Sequence, residues 1–111
     1  MRLVESIKNR ILGKDYELSF SFVSPKEISR LNKIYRNINK ATDILSFPLS
    51  EKEGELYICK SQARKEAKKF DKKYDDFIIF LLIHGMTHLK GFEHGSTMES
   101  IESKFRKEFG V

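Results

Sequence analysis

All three histidines of the 111-residue chain fall in one short stretch, HGMTHLKGFEH. His84 and His88 are four residues apart, so on a helix they would share one face, one turn apart. Gly91 is expected to end that helix and turn the chain, which would bring His94 back to the same side. Three imidazoles with one open position are a common ligand set for catalytic zinc, and they also accept nickel and other transition metals. The sequence therefore predicts that His84, His88 and His94 bind one zinc-like ion.

The residue after the first histidine separates this pattern from the metzincin proteases, which share its H-x-x-x-H-x-x-G-x-x-H spacing. In those enzymes a glutamate at this position is the general base. Here the position holds Gly85, which cannot accept a proton. The sequence therefore disfavours a metalloprotease-like hydrolase, although it keeps the metal ligands of one.

The first two predicted ligands lie at the end of a segment with the pattern of a buried helix. The apolar run FIIFLLI leads directly into His84. Asp75 and Asp76 precede it and favour a helix N-terminus, because negative charge is stabilised at that end of the helix dipole. Since apolar residues surround nearly the whole segment, we predict that it is the central helix of the fold and ends at about Lys90.

The remaining segments alternate between strand and helix patterns. Leu18, Phe20 and Phe22 alternate with polar residues, as in a half-buried strand. Two short strands follow, ILSF, which Pro48 is expected to end, and ELYI. Other helices are predicted over residues 3–12, 25–36, 60–74 and 97–109. We therefore expect an α/β (α+β) fold, in which helices flank a small mixed sheet within a single domain spanning residues 1–111, with the metal site at the end of the central helix.

Two of these helices have apolar faces that should pack inwards. In the helix over residues 25–36 the face consists of Ile28, Leu31 and Tyr35. In the helix over residues 60–74 it consists of Ala63, Ala67, Phe70 and Tyr74. The opposite side of the helix over residues 60–74 carries Lys60, Arg64 and Lys68 at i, i+4 spacing. Such a run is usually a solvated helix face. In so basic a chain, contact with an RNA backbone is an equal alternative.

Composition narrows the class of partner and the compartment. The formal net charge is +5 and the pI about 9.3, which favours a polyanionic partner such as nucleic acid. The single cysteine, Cys59, cannot form an intrachain disulfide and suits a reducing cytoplasm. The longest apolar run is too short to span a bilayer, and the N-terminus lacks the pattern of an export signal. We expect a cytoplasmic protein with no membrane partner.

The histidine motif and three upstream segments resemble the YbeY family of metal-dependent endoribonucleases and rRNA maturation factors. HGMTHLKGFEH is similar to the family's H-G-x-L-H-L-x-G-Y-D-H, and TDILSFP to its T-D-V-L-S-F-P. Leu31, Asn32, Tyr35 and Arg36 match its L-N-x-x-Y-R, and GELYI is similar to its G-D-I-x-I. The chain departs from the usual residues of the family at four positions, Glu55, Thr87, Phe92 and Glu93. The three predicted metal ligands are retained.

The resemblance implies a zinc-dependent endoribonuclease that cleaves single-stranded RNA and not DNA. It implies a role in late small-subunit rRNA 3′-end maturation and in ribosome quality control, with the ribosome and its assembly factors as partners. Arg36 would face the metal and bind RNA phosphate, and we predict Arg36 and His84 as the catalytic residues. Further RNA contacts are predicted for five residues, Ser46, Phe47, Lys60, Arg64 and Lys68. Glu93 is expected to orient a histidine or a water beside the metal.

Two alternatives stay open at this point. A non-catalytic assembly factor could use the metal as a structural staple and the basic face as an rRNA dock. Arg36, at the end of a predicted helix, could simply complement the helix dipole. For an enzyme, the attacking oxygen could come from water or from the RNA 2′-hydroxyl.

Overall fold

The computed structural model of the protein describes residues 2–91 and 95–111. The helix that begins at Pro25 has a favourable terminus: the Ser24 hydroxyl accepts a hydrogen bond from the Glu27 amide, and Pro25 is at the first helical position. The described residues form five helices and three strands, in the order α1 (Arg2–Ile11), β1 (Glu17–Phe22), α2 (Pro25–Arg36), β2 (Ile44–Ser50), β3 (Glu53–Ile58), α3 (Lys60–Lys69), α4 (Tyr74–Leu89) and α5 (Ser96–Glu108).

The three strands form one mixed sheet in the order β1-β3-β2. β3 pairs in parallel with β1, where Phe20 lies opposite Leu56, and antiparallel with β2, where Leu45 lies opposite Tyr57. The small mixed sheet predicted from the sequence is therefore confirmed. Because β2 is at one end of the order, its outer side has no strand partner in the described part of the chain.

Helices cover both faces of the sheet. Along β3, Leu56 and Ile58 point into the main core, whereas Tyr57 points to the opposite face. α4 packs on the first face and also contacts α1, α3 and α5, so it is the central buried helix that the sequence predicts. α2 covers the other face at β2, where Ile28 and Leu45 are buried together. The architecture confirms the predicted fold class.

β2 does not end at Pro48, as the sequence predicted, but continues to Ser50. Pro48 lies opposite Gly54, and the register of the two strands shifts between Pro48 and Ser50. A proline has no N–H to donate, so it is tolerated where the strand lies at an edge or next to an irregularity. The edge position of β2 provides that tolerance.

The helix predicted over residues 60–74 begins where expected, but its predicted end is wrong: α3 ends at Lys69, and Tyr74 is the first residue of α4. Asp71 follows α3 in the left-handed conformation, with φ of 53°, and the Lys72 amide donates to the Ala67 carbonyl at 2.9 Å. This is a Schellman closure made without the usual glycine, so no glycine marked it in the sequence. Two aromatic residues predicted to face inwards, Phe70 and Tyr35, are each 62% exposed.

None of the helices in the described ranges is long and apolar enough to cross a membrane; the most apolar, α4, has 16 residues.

The central position of α4 predicts that truncating one of its buried side chains destabilises the fold. Leu82 is completely buried in α4, so Leu82→Ala should lower the free energy of unfolding by about 2–5 kcal/mol through lost transfer energy and the cavity left behind. Leu49→Ala, the same substitution at a 59% exposed position of β2, should change it by about 0.5 kcal/mol or less. Urea unfolding of both variants measures the difference. Equal losses would contradict the central position of α4.

Candidate active site

A cleft of about 590 Å³ is bordered by the C-terminal half of α4, the C-terminal end of α2 and the start of β2. Five of the residues that the sequence predicts for the site line it, namely Arg36, Ser46, Phe47, His84 and His88. They come from three separate elements, so the chain must fold to bring them together. Their placement in one cleft makes this the candidate active site.

α4 places His84 and His88 one turn apart on the side of the helix that faces the cleft. The two imidazole rings lie 4.8 Å apart between centroids and meet edge to face, at 89°. The ring of Phe80, one turn earlier, is nearly parallel to that of His84 at 6.5 Å. α4 ends directly after this pair, and Gly91 has φ of 105°, the left-handed turn for which a glycine is expected.

A buried carboxylate on α5 orients His84. Glu102 is only 6% exposed, and its Oε1 lies 2.7 Å from His84 Nδ1. An ionised Glu102 accepts this hydrogen bond from Nδ1–H, and in a neutral ring that tautomer has its lone pair on Nε2, where a metal requires it. No sequence pattern indicates Glu102, because 18 residues separate it from His84 and its partner is set by how α5 packs on α4.

The donor chemistry of this pair fits a first-row transition metal. Histidine ligands commonly donate their second ring N–H to a carboxylate, as His84 does to Glu102. The predicted third ligand, His94, and the predicted orienting residue, Glu93, lie outside the described residues. Within residues 2–91 and 95–111 there is accordingly no group of three histidine, cysteine or acidic side chains that could hold a metal ion.

Gly85 is at the point where α4 meets the sheet. A Cβ added there would lie 2.5 Å from Leu56 Cδ1 and 2.8 Å from Ile44 Cδ1, closer than side chains normally approach. Leu56 is fully buried and has little room to move. A glutamate in this position would therefore be forced into the packed sheet. This geometry supports the expectation that the site lacks a metzincin-type base.

Arg36 is held at the cleft by the way α2 ends. Asn37 adopts the left-handed conformation, with φ of 56°, and its amide donates to the Lys33 carbonyl. The buried Asn32 donates from Nδ2 to the Lys40 carbonyl at 2.9 Å, which ties the following loop to the helix. Among the described residues, the Arg36 guanidinium has no hydrogen bond or ion pair. Its charge is thus directed into the cleft and available to an anion.

Asp43 is the one carboxylate among the described residues that line the cleft. Burial raises the pKa of this carboxyl above its ordinary value, and the negative charge of Glu66 raises it further. Hydrogen bonds from the Thr42 hydroxyl and from the amides of Asp43 and Ile44 oppose the rise. A carboxyl with a raised pKa can exchange a proton nearer to neutral pH than an ordinary aspartate.

The basic residues of α3 are not among the described residues that line the cleft. Two of them lie over aromatic rings of the protein itself: Lys60 Nζ is 4.4 Å from the centroid of the Phe22 ring, and Arg64 Cζ is 4.3 Å from that of Tyr74. Lys68 is exposed. RNA contact by Lys60, Arg64 and Lys68 therefore stays a prediction for a surface beyond the cleft.

The structure explains one departure from the family pattern. Thr87 replaces an apolar residue but is completely buried on α4. Its hydroxyl donates to the Ile83 carbonyl one turn back, at 2.6 Å. The polar atom is satisfied within the helix, so the substitution leaves the two neighbouring histidines in place.

The raised pKa of Asp43 predicts a pH dependence of stability. The folded chain binds the proton of the Asp43 carboxyl more tightly than the unfolded chain does. The stability that this protonated carboxyl contributes is therefore present at low pH and is lost as pH rises through the raised pKa. Asp43→Asn keeps an Oδ1 acceptor but has no carboxyl to titrate, so it does not lose stability as pH rises. Its stability relative to wild type should therefore be higher at about pH 7 than at about pH 3, as urea unfolding at both pH values would show.

Asp15→Asn provides the control, because the Asp15 side chain is 81% exposed and pairs only loosely with Lys52, at 3.7 Å. Its effect should be nearly the same at both pH values. If Asp43→Asn behaved like Asp15→Asn, burial would not perturb the Asp43 carboxyl.

Comparison with known proteins agrees with the geometry. The profile of the family described as Endoribonuclease YbeY matches residues 2–109. The chain is 32% identical to an Endoribonuclease YbeY of Thermosipho melanesiensis, over 85% of this chain and 70% of that protein. It is 37% identical to one of Alkaliphilus metalliredigens, over 85% and 68%. A solution structure of TM1509 from Thermotoga maritima superposes with a TM-score of 0.70 at 29% identity, covering 96% of this chain and 81% of that one. The chain belongs to the endoribonuclease YbeY family.

Proposed function

We propose that the protein is a metal-dependent endoribonuclease that cleaves single-stranded RNA in the cleft between α2, α4 and β2. The observation that carries the proposal is the placement of Arg36 and of His84 and His88 around one opening. Phosphodiester cleavage needs a cation to bind the phosphate and a second centre to stabilise developing charge. Arg36 would be the cation that binds the phosphate. The histidine pair, with its ion, would be the centre that stabilises the developing charge.

Arg36 would bind two phosphate oxygens at once, because its planar guanidinium presents paired N–H donors. Asn37 and Asn32 fix the end of α2, so the side chain leaves the helix from a defined position. We therefore assign Arg36 to binding the phosphate and stabilising its charge during cleavage.

His84 and His88 would hold a zinc ion, or nickel or another transition metal, with His94 as the third ligand. When bound there, the ion supplies Lewis-acid stabilisation of negative charge. Glu102 keeps His84 in the tautomer that ligation requires and fixes the plane of its ring. Asp43, with its raised pKa, is the cleft residue suited to holding a proton at its carboxyl oxygen. Ser46 and Phe47 would contact the substrate from β2.

The biological setting is part of the same proposal. Membership of the YbeY family supports action on RNA, since the related proteins are named endoribonucleases. The net charge of +5 supports binding to a polyanion as large as ribosomal RNA. We propose late small-subunit rRNA 3′-end maturation and ribosome quality control as the process, the ribosome and its assembly factors as partners, and the cytoplasm as the location.

A non-catalytic assembly factor with a structural metal is the second candidate. The Glu102–His84 contact favours it, because it links α5 to α4 at a nearly buried position, as a structural site would. The cleft beside both histidines favours the enzyme, since a purely structural site needs no space for a substrate. Activity measurements separate the two.

His88→Ala should lower cleavage of an end-labelled single-stranded RNA on the order of 100-fold or more, because it removes a ligand of the ion that stabilises developing charge. Lys90→Ala, an exposed change two residues further on, should cleave like the wild type. All three proteins would be purified in parallel and compared by circular dichroism. Equal cleavage by wild type and His88→Ala would indicate a contaminating nuclease, and no cleavage by a zinc-loaded wild type would favour the assembly factor.

Glu102→Ala should weaken zinc binding by about 10- to 100-fold, because His84 would lose the partner that fixes its tautomer and orientation. Competition with a chromophoric chelator measures the affinity. Glu99→Ala, on the exposed side of the same helix, should bind zinc like the wild type. If Glu102→Ala remained folded and bound zinc with unchanged affinity, Glu102 would have no role in orienting the ligand.

A further inference from the structure

Tyr35 is exposed at the cleft, although it lies on α2, the helix whose Ile28 and Leu31 are buried against the sheet. Among the described residues, the large hydrophobic side chains left mostly exposed are Ile34, Tyr35, Ile38, Leu49 and Phe70. Only Tyr35 of this group lines the cleft. It also directly precedes Arg36, the proposed phosphate ligand. Single exposed apolar residues are ordinary, so its setting has to distinguish it.

Phe47 packs against the Tyr35 ring and is itself in contact with Tyr57. The centroid of the Tyr35 ring lies 4.8 Å from that of Phe47, with the ring planes inclined at 43°. Phe47 in turn lies 6.1 Å from Tyr57, whose hydroxyl donates to Glu55 at 2.9 Å. Tyr35 is thus held on one side by a row anchored on β2 and β3, while its other side faces water. Holding the ring in place before a ligand arrives lowers the entropy cost of binding.

An exposed, supported ring beside a cationic phosphate site matches the chemistry of an unpaired nucleotide. Each nucleotide presents an anionic phosphate and a flat aromatic base, and single-strand binding sites combine a basic groove with aromatic platforms. We propose that Tyr35, backed by Phe47, stacks a nucleobase of the strand whose phosphate Arg36 binds. This inference rests on the proposed function and adds a base-binding subsite to it.

The subsite accounts for a preference for single strands. A base in a duplex is already stacked and paired, so it cannot lie on Tyr35 without leaving the helix. Every base has a π-face, so the subsite discriminates strandedness rather than sequence. A protein partner that covered Tyr35 together with Ile34 and Ile38 would not require bases, so comparing strands with and without bases distinguishes it.

The chain contains no tryptophan, so Tyr35→Trp introduces a single fluorescent reporter at the proposed platform. Combined with His88→Ala to prevent cleavage, it should be quenched by a short single-stranded RNA and not by a ribose-phosphate strand of the same length that lacks bases. Phe70→Trp in the same background is the matched control, because Phe70 is also 62% exposed but does not line the cleft. Equal quenching by both strands, or at both positions, would overturn the proposal.

Truncating the Tyr35 side chain tests the same subsite through the affinity for RNA. Tyr35→Ala should weaken binding of the single-stranded RNA about 5- to 150-fold, whereas Tyr35→Phe and Phe70→Ala should bind like the wild type. Tyr35→Ala should lose its advantage for base-bearing over base-free strands. If the wild type cleaves RNA but Tyr35→Ala and Phe70→Ala bind it equally well, the stacking subsite is wrong and the proposed function stands. If the wild type neither cleaves nor binds RNA, both are wrong.

Discussion

The close approach of α4 to the sheet at Gly85 is the constraint on which the rest of the site depends. Because no side chain intervenes there, the helix lies directly against Ile44 on β2 and Leu56 on β3. That contact sets the rotation of α4 and so turns His84 and His88 towards the cleft beside β2. A larger residue would meet Leu56 Cδ1 and Ile44 Cδ1, so those buried and half-buried side chains or the helix itself would have to shift. The glycine that stands in the place of a metzincin's base thus also allows the helix that carries both histidines to lie close to the sheet.

His84 is then held by one residue from a distant element and by one from its own helix. α5 supplies Glu102 to its Nδ1, and the ring of Phe80, one turn earlier on α4, lies nearly parallel to it. A catalytic ligand gains from such support, because a ring held in one orientation does not pay the cost of ordering when it binds. The histidine face proposed to bind the metal and the packing of α5 on α4 are therefore linked through Glu102.

The opposite wall of the cleft combines charge with aromatic surface. Arg36 and Tyr35 come from the last turn of α2, whose end is defined by the left-handed Asn37 and the buried Asn32. Phe47 reaches the same place from β2. A cationic group and an aromatic ring thus share a single helix end, which is the arrangement that the proposed phosphate and base contacts require.

Local physics was sufficient for much of what the sequence predicted. The i, i+4 spacing placed His84 and His88 on one helix face, the apolar run identified the central helix, and alternation identified strands of a mixed sheet. These features depend on periodicity and capping, which neighbouring residues determine. The family motif added Arg36, which no spacing rule would have selected over an ordinary helix-terminal arginine.

Only the tertiary structure decided the contacts between distant segments. Glu102 contacts His84 because α5 packs on α4. Burial raises the pKa of the Asp43 carboxyl because the folded chain surrounds it. Tyr35 has the spacing of a core residue, yet it is exposed because the last turn of α2 extends beyond the surface that buries Ile28. Sequence pattern specifies which side of an element is apolar. How far that side is covered depends on the neighbouring elements, and their position is set by packing of the whole chain.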